Sequence, residues 1–348
     1  MKYAIYGTGE CALEIYYKLK DKMTYFIDDN PRDLYEGYAF PINNDMLKDV
    51  TVLMGVFNEH VDPEKIKKEL FNVGYTDIMD YIDVHKWLKL PDRFWLNNDK
   101  KCINRHLAVL NETYVDTKNK YFPKDFPTVT SPLSFIDCGA YDGDTIRKII
   151  ASKIDVKGII AYEPCIDNYN KLSKYISNLD MKRKFGIIAL PYALWSRTRR
   201  SMFDGMGENG KLAKTGEESV QCYRLDDSMF LLEKCEPNYI KMDIEGAELE
   251  ALKGARETIT KFMPQLAIAL YHRPNDLFLI PALIKSWDLP YDYYIRSHGY
   301  NGLELFLYCV PKSDAIDEEE AMWLIDDNKR RLDENIIRRK NIRSRRKG

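Results

Sequence analysis

The stretch FIDCGAYDGDTI, Phe135 to Ile146, restricts the fold more than any other part of the chain. An apolar run ends at Asp137, Gly139 and Gly143 follow, and Thr145 leads into the helical pattern IRKIIASKI. Strand, tight turn and helix N-terminus in that order can hold a nucleotide-like ligand. Yet this turn carries Asp137, Asp142 and Asp144, and no lysine or arginine before Ile146.

The unit is repeated in kind, though not at a fixed period. In the first 86 residues KYAIYG, TYFIDD, VTVLMGVF and TDIMDYI read as strands, with ECALEIYYKLKD and PEKIKKELFNVG as helices between them. From 133 to 312 the strands are SFIDCG, GIIAYEP, FGIIALPYAL, YIKMDIEG and QLAIALYH, and YDYYIRSH and LELFLYCV form a closing β-hairpin around Gly299 to Gly302. Such alternation predicts an α/β protein with two doubly wound, Rossmann-like domains. Residues 87–132 read as a helical linker or a cap over a neighbouring cleft. Residues 313–348 read as a helix that starts acidic and turns basic, then the basic tail RRKNIRSRRKG.

Composition narrows the class. With 348 residues, 45% hydrophobic and 30% charged, the chain has the make-up of a soluble two-domain protein. A formal net charge of -2 gives no global attraction for nucleic acid, which is disfavoured as a partner. Seven cysteines without a CxxC pair argue against a disulfide framework or zinc, and for a cytoplasmic location. No apolar run reaches the ~18 residues of a membrane span. A homodimer is left open.

The two glycine turns differ. GTGECA has Gly7 and Gly9 but Ala12 in place of a third glycine, with Asp28 at the end of the next strand. It reads either as a tight turn only or as a nucleotide or sugar-nucleotide site. In the second turn, carboxylates would repel a pyrophosphate. S-adenosylmethionine, which has a sulfonium, an ammonium and no phosphate, fits better. Glu163 stands about 20 residues past Gly143, where an acid grips a ribose diol. Ala193 and Leu194 offer an apolar edge for adenine. The competing reading is that Asp142 and Asp144 cap a helix and Leu194 fills a core.

FIDCGAYDGDTI, AYEP, YIKMDIEGAELEALKGA and LAIALYHRPNDLF, in this order, resemble the FkbM-type family of S-adenosylmethionine-dependent methyltransferases. The likeness runs from about Phe135 to Pro311. It implies a class I methyltransferase fold, a seven-stranded sheet with an antiparallel last strand, and O-methylation of a sugar, glycan or related hydroxyl. By this resemblance the cofactor contacts are Asp137, Gly139, Ala140, Tyr141, Asp142, Asp144, Thr145, Glu163, Ala193, Leu194 and Asp243.

Methyl transfer to an alcohol needs its proton removed and its oxygen aligned. Groups at the strand C-termini are placed for this. His272 is read as the base, with Asp243 and His298 as catalytic partners and Glu245, Arg273 and Arg296 as substrate contacts. Asp243, Glu245 and His272 carry the donor types of a divalent cation site, but a metal is not favoured over plain hydrogen bonding to sugar hydroxyls. The alternatives are a nucleotide-sugar oxidoreductase or a non-catalytic sugar-nucleotide-binding protein using the first glycine turn.

Overall fold

Seven strands order the larger half of the chain around one reversal point, and that reversal positions the site. The computed structural model describes residues 3–19, 24–29, 39–43, 49–90, 115–127, 132–152, 154–179, 186–204, 211–213, 218–273 and 275–312. The expected helix and basic tail of 313–348, and residues 91–114 and 128–131 of the expected linker or cap, lie outside the described residues.

The N-terminal part is a parallel five-stranded sheet. Its strands are β1 (Tyr3–Tyr6), β2 (Thr24–Ile27), β3 (Ala39–Phe40), β4 (Thr51–Met54) and β5 (Ile78–Met79), in the order β3-β2-β1-β4-β5. Helices α1 (Glu10–Lys18), α2 (Pro63–Asn72) and α3 (Tyr81–Leu88) join and flank them. Helix α2 starts where its sequence predicts: Pro63 occupies the first turn, and Asp62 accepts hydrogen bonds from the N–H groups of Glu64 and Lys65, a cap worth about 1 kcal/mol. The last expected strand, TDIMDYI, is extended only at Ile78–Met79, because Tyr81 already opens α3.

The second sheet has strands β6 (Leu133–Cys138), β7 (Val156–Tyr162), β8 (Ile187–Leu190), β13 (Tyr239–Met242), β14 (Gln265–Ala269), β15 (Tyr291–Ser297) and β16 (Leu305–Pro311). Their order is β15-β16-β14-β13-β6-β7-β8. Strand β16 runs antiparallel to both neighbours, as the hairpin predicted. Helices α4 (Asp144–Ala151), α5 (Ile166–Ser177), α6 (Met229–Cys235), α7 (Glu248–Lys253), α8 (Arg256–Phe262) and α9 (Asp276–Lys285) lie between the strands in sequence.

Alternate residues of the central strands feed two cores on opposite faces: Ile136, Ile160, Ile240 and Ile268 on one, Phe135, Ile159, Tyr239 and Ala267 on the other. A parallel sheet buried on both faces explains why these strands read as unbroken apolar runs.

A third sheet was not legible. Strands β9 (Ala193–Leu194), β10 (Arg199–Asp204), β11 (Lys211–Ala213) and β12 (Glu218–Tyr223) form it in the order β11-β10-β12-β9. The expected single strand FGIIALPYAL thus splits at Pro191, which has no N–H to continue a ladder: Leu190 ends in one sheet and Ala193 starts in another.

Residues Met1–Pro311 form one compact unit. The β15–β16 turn docks on the N-terminal sheet: Tyr300 N–H donates to the Glu59 carbonyl at 2.9 Å, and the Asn301 amide donates to the Asn58 carbonyl at 2.7 Å. Leu303 belongs to the core of that sheet.

Candidate active site

The strand order reverses between β6 and β13, and an open sheet leaves a crevice at the C-terminal ends of such a pair. A cavity of about 1310 Å³ occupies this crevice. Its wall includes Gly139 after β6, Glu163 after β7, Asp243 and Glu245 after β13, and Tyr271 and His272 after β14. Glu59 and His60, after β4, close it from the N-terminal sheet.

The turn after β6 is held tight. Gly139 has φ +82°, and a Cβ there would lie 2.1 Å from the Asp243 carbonyl oxygen. The N–H groups of Gly139 and Ala140 both donate to the Tyr162 carbonyl at 3.0 Å. Tyr141 and Gly143 also have positive φ, 48° and 91°. Beside them, the Glu163 carboxylate accepts from the Tyr141 N–H at 2.8 Å and the Cys165 N–H at 2.9 Å. Burial raises the Glu163 pKa, against the pull of these donors.

Each of the three carboxylates that marked this turn has its own cation. Asp137 and Lys241, partners across β6 and β13, form a buried ion pair at 3.1 Å. Lys241 also donates to the Gly139 carbonyl at 2.6 Å. Burial pushes Asp137 up to about 6 in spite of Lys241. Asp142 pairs with Arg147, and Asp144 stands 3.4 Å from Lys148. Of the three, only Asp144 lines the cavity. The turn is therefore neutralised locally, and its acids alone do not select a cationic ligand.

Among the other expected cofactor contacts, Gly139, Tyr141, Glu163, Ala193, Leu194 and Asp243 line the cavity. Ala140 and Thr145 do not; both are buried in the turn and the first turn of α4. Arg273 is exposed and lies against Gly246 instead. Arg296 is outside the cavity as well: its guanidinium pairs with Asp125 at 2.6 Å. His298 reaches the wall, but both ring nitrogens are engaged, Nδ1 with the Asp116 carbonyl and Nε2 with the Tyr308 hydroxyl, each at 2.6 Å. Burial holds its pKa down, and the Nδ1 contact ties it to residues 115–127.

The far end of the cavity gathers charge. Asp243 Oδ2 accepts from the Tyr121 hydroxyl at 2.8 Å and lies 3.4 Å from Lys120 Nζ, while Oδ1 accepts from Tyr271 at 3.1 Å. Burial alone would raise the Asp243 pKa; Lys120 and Lys241 outweigh it and hold the carboxyl well below the usual range. Lys120 also pairs with Glu304.

His272 Nδ1 and Glu248 Oε1 are 2.8 Å apart, and Nε2 faces Glu245 at 3.4 Å and Asp243 at 3.5 Å. Burial would lower the His272 pKa, but Glu248 and Glu245 raise it well above the ordinary histidine value. Nε2 is thus the ring atom turned towards the two carboxylates at the cavity end.

Several wall residues carried no signal in the sequence. Lys120 and Tyr121 lie in the polar stretch KNKYFPKDF, and Glu248, a helix acid behind the wall, is fully buried. Lys241 did leave a trace, as one lysine inside the buried strand YIKM. The first glycine turn lies apart from the cavity; there the Thr8 hydroxyl donates to Asp28 at 2.7 Å.

Residues 137–301 match the family model described as Methyltransferase FkbM domain. The solved structure of Methyltransferase FkbM from Methylobacillus flagellatus KT superposes with a TM-score of 0.66 at 19% identity, over 88% of this chain and 89% of that one. A chain of a fibrillarin/Nop5p complex aligns with a TM-score of 0.33 at 12% identity, over 54% of this chain and 77% of that one. A putative rRNA-methylase from Clostridium thermocellum aligns at 0.31 and 8%, over 62% and 97%. No curated protein matches the sequence. The resemblance read from FIDCGAYDGDTI and the motifs after it is thereby shown, as is the methyltransferase Rossmann-like fold. Among the described residues no helix is long and apolar enough to cross a membrane.

Proposed function

We propose that this chain, which carries a methyltransferase FkbM domain, is an S-adenosylmethionine-dependent O-methyltransferase acting on a hydroxyl of a sugar, glycan or related polar acceptor. The observation that carries the reading is Glu163. Its carboxylate is fixed by two backbone N–H groups at a strand end and lines the cavity that also holds Gly139 and Asp243.

The residues fit the cofactor. Glu163 is placed to accept from a ribose diol, and Ala193 and Leu194 to face an adenine ring. At Gly139 the chain has no room for a side chain, so the backbone itself forms the floor. When bound, S-adenosylmethionine supplies a methyl group on a sulfonium. The chain's task is to align the acceptor oxygen and draw off its proton. Asp243 and Glu245 present carboxylate oxygens at the cavity end, and the Tyr121 and Tyr271 hydroxyls and Lys120 hold Asp243 in place. A wall of Glu59, Glu245 and Glu304 suits an acceptor rich in hydroxyl groups, which donate to carboxylates.

Calorimetric titration of S-adenosylhomocysteine into wild type and Glu163→Ala tests the reading. Micromolar binding, about -8 kcal/mol, should weaken at least ~10-fold in the variant. A well-folded wild type that does not bind would overturn it.

A further inference from the structure

We propose that Asp243, Glu245 and His272 form a binding site for a hard divalent cation of the Mn²⁺ or Mg²⁺ type. The residues project from the ends of two adjacent strands, β13 and β14. His272 Nε2 lies 3.5 Å from Asp243 Oδ1 and 3.4 Å from Glu245 Oε1, and one donor atom from each residue lies within 4.8 Å of the others. Donors that share an ion at about 2.1–2.2 Å stand roughly 3–3.5 Å apart, so little movement closes the set.

Acidic residues near one another do not make a site; the histidine supplies the independent observation. Its side chain is 7% exposed, and Nε2 has no hydrogen-bond partner although it points at two carboxylates. Nδ1 is tied to Glu248, which is itself 0% exposed and anchored by the Ile244 N–H at 2.8 Å. That bond orients the ring and leaves the Nε2 lone pair for the cluster. A buried carboxylate behind an imidazole is how proteins commonly fix a metal-ligating histidine. With two carboxylates, one imidazole and no thiolate, the set favours a hard ion over a soft one.

Three protein ligands leave positions on the cavity side for water or the acceptor hydroxyl. That use rests on the proposed methyl transfer; binding of the ion does not. A proton on Nε2 is the competing way to neutralise the cluster.

The test is titration of MnCl₂ into the chelator-treated full chain, followed by the loss of the free Mn²⁺ electron paramagnetic resonance signal and by nitrogen modulation of the bound ion. One ion per chain in the micromolar range, with imidazole nitrogen coupling, is expected. His272→Ala should abolish the coupling. Glu248→Gln, which does not touch the ion, should weaken binding about 10–100-fold. Asp142→Asn, outside the cluster, should change nothing. No binding by folded wild type up to millimolar Mn²⁺ would overturn the proposal. So would binding without nitrogen coupling, the sign of a protonated histidine or of scattered surface acids. S-adenosylhomocysteine affinity of the same chelator-treated sample reports separately on the methyltransferase reading, so either idea can fail alone.

Discussion

Replacing Gly139 by alanine should damage stability and cofactor binding together. Two costs add. An L-residue at φ +82° is strained by about 1–2 kcal/mol. The new Cβ would also sit 2.1 Å from the Asp243 carbonyl oxygen, 0.9 Å short of the 3.0 Å that real Cβ contacts respect. That neighbour is backbone, so relief requires the ends of β6 and β13 to part, an overpacking cost of about 1–3 kcal/mol. The total is roughly 2–5 kcal/mol, read by urea denaturation. Parting these ends also moves the floor of the proposed cofactor site relative to Asp243. S-adenosylhomocysteine affinity should therefore fall in the fraction that remains folded. Gly9→Ala is the matched control: nothing lies within 4 Å of its Cβ position, and its φ is -83°. It should stay within about 1 kcal/mol of wild type. If Gly139→Ala behaves like Gly9→Ala in both assays, the close approach of β6 and β13 is wrong.

Lys241→Met should cost about 3–5 kcal/mol by stranding the buried Asp137 carboxylate, and adding Asp137→Asn should recover much of it; equal stability of single and double variants in urea would refute the pairing. Asp276 is pushed up to about 7, first by burial and then by Glu248, so its contribution to stability is full below its ordinary value of 3.8 and is lost as pH rises through 7. Asp276→Asn should consequently stabilise the protein by roughly 1–4 kcal/mol at pH 8 and hardly at all at pH 4; the same melting-temperature change at both values would refute this.

The seven-stranded sheet was legible because its strands are buried on both faces and read as apolar runs ending in glycine or acid. The places of Gly139 and Glu163 on the cavity wall were legible for the same reason: both sit at fixed offsets from those runs. The third sheet was not, because RRSMFD and ESVQCY carry no apolar run. Nor could sequence show which acids were already spoken for. Asp142 is taken by Arg147 and Arg296 by Asp125, pairings settled by turn geometry and by a contact 171 residues away. Glu248 gave no sign of its place: a helix acid normally faces water, yet this one is buried and bonded to both His272 and the Ile244 N–H.

The bond from Asn301 to Asn58 joins residues 243 positions apart. During synthesis from the N-terminus, the wall formed by Glu59 and His60 is complete long before the hairpin tip that fixes it has been made. The five-stranded sheet can therefore be present while the cavity is still open on one side, and closure waits on nearly the last strand of the unit. Long-range closure of this kind is slow relative to local folding. A ribosome-bound chain halted before β15 would be expected to keep its first sheet yet lack an enclosed pocket.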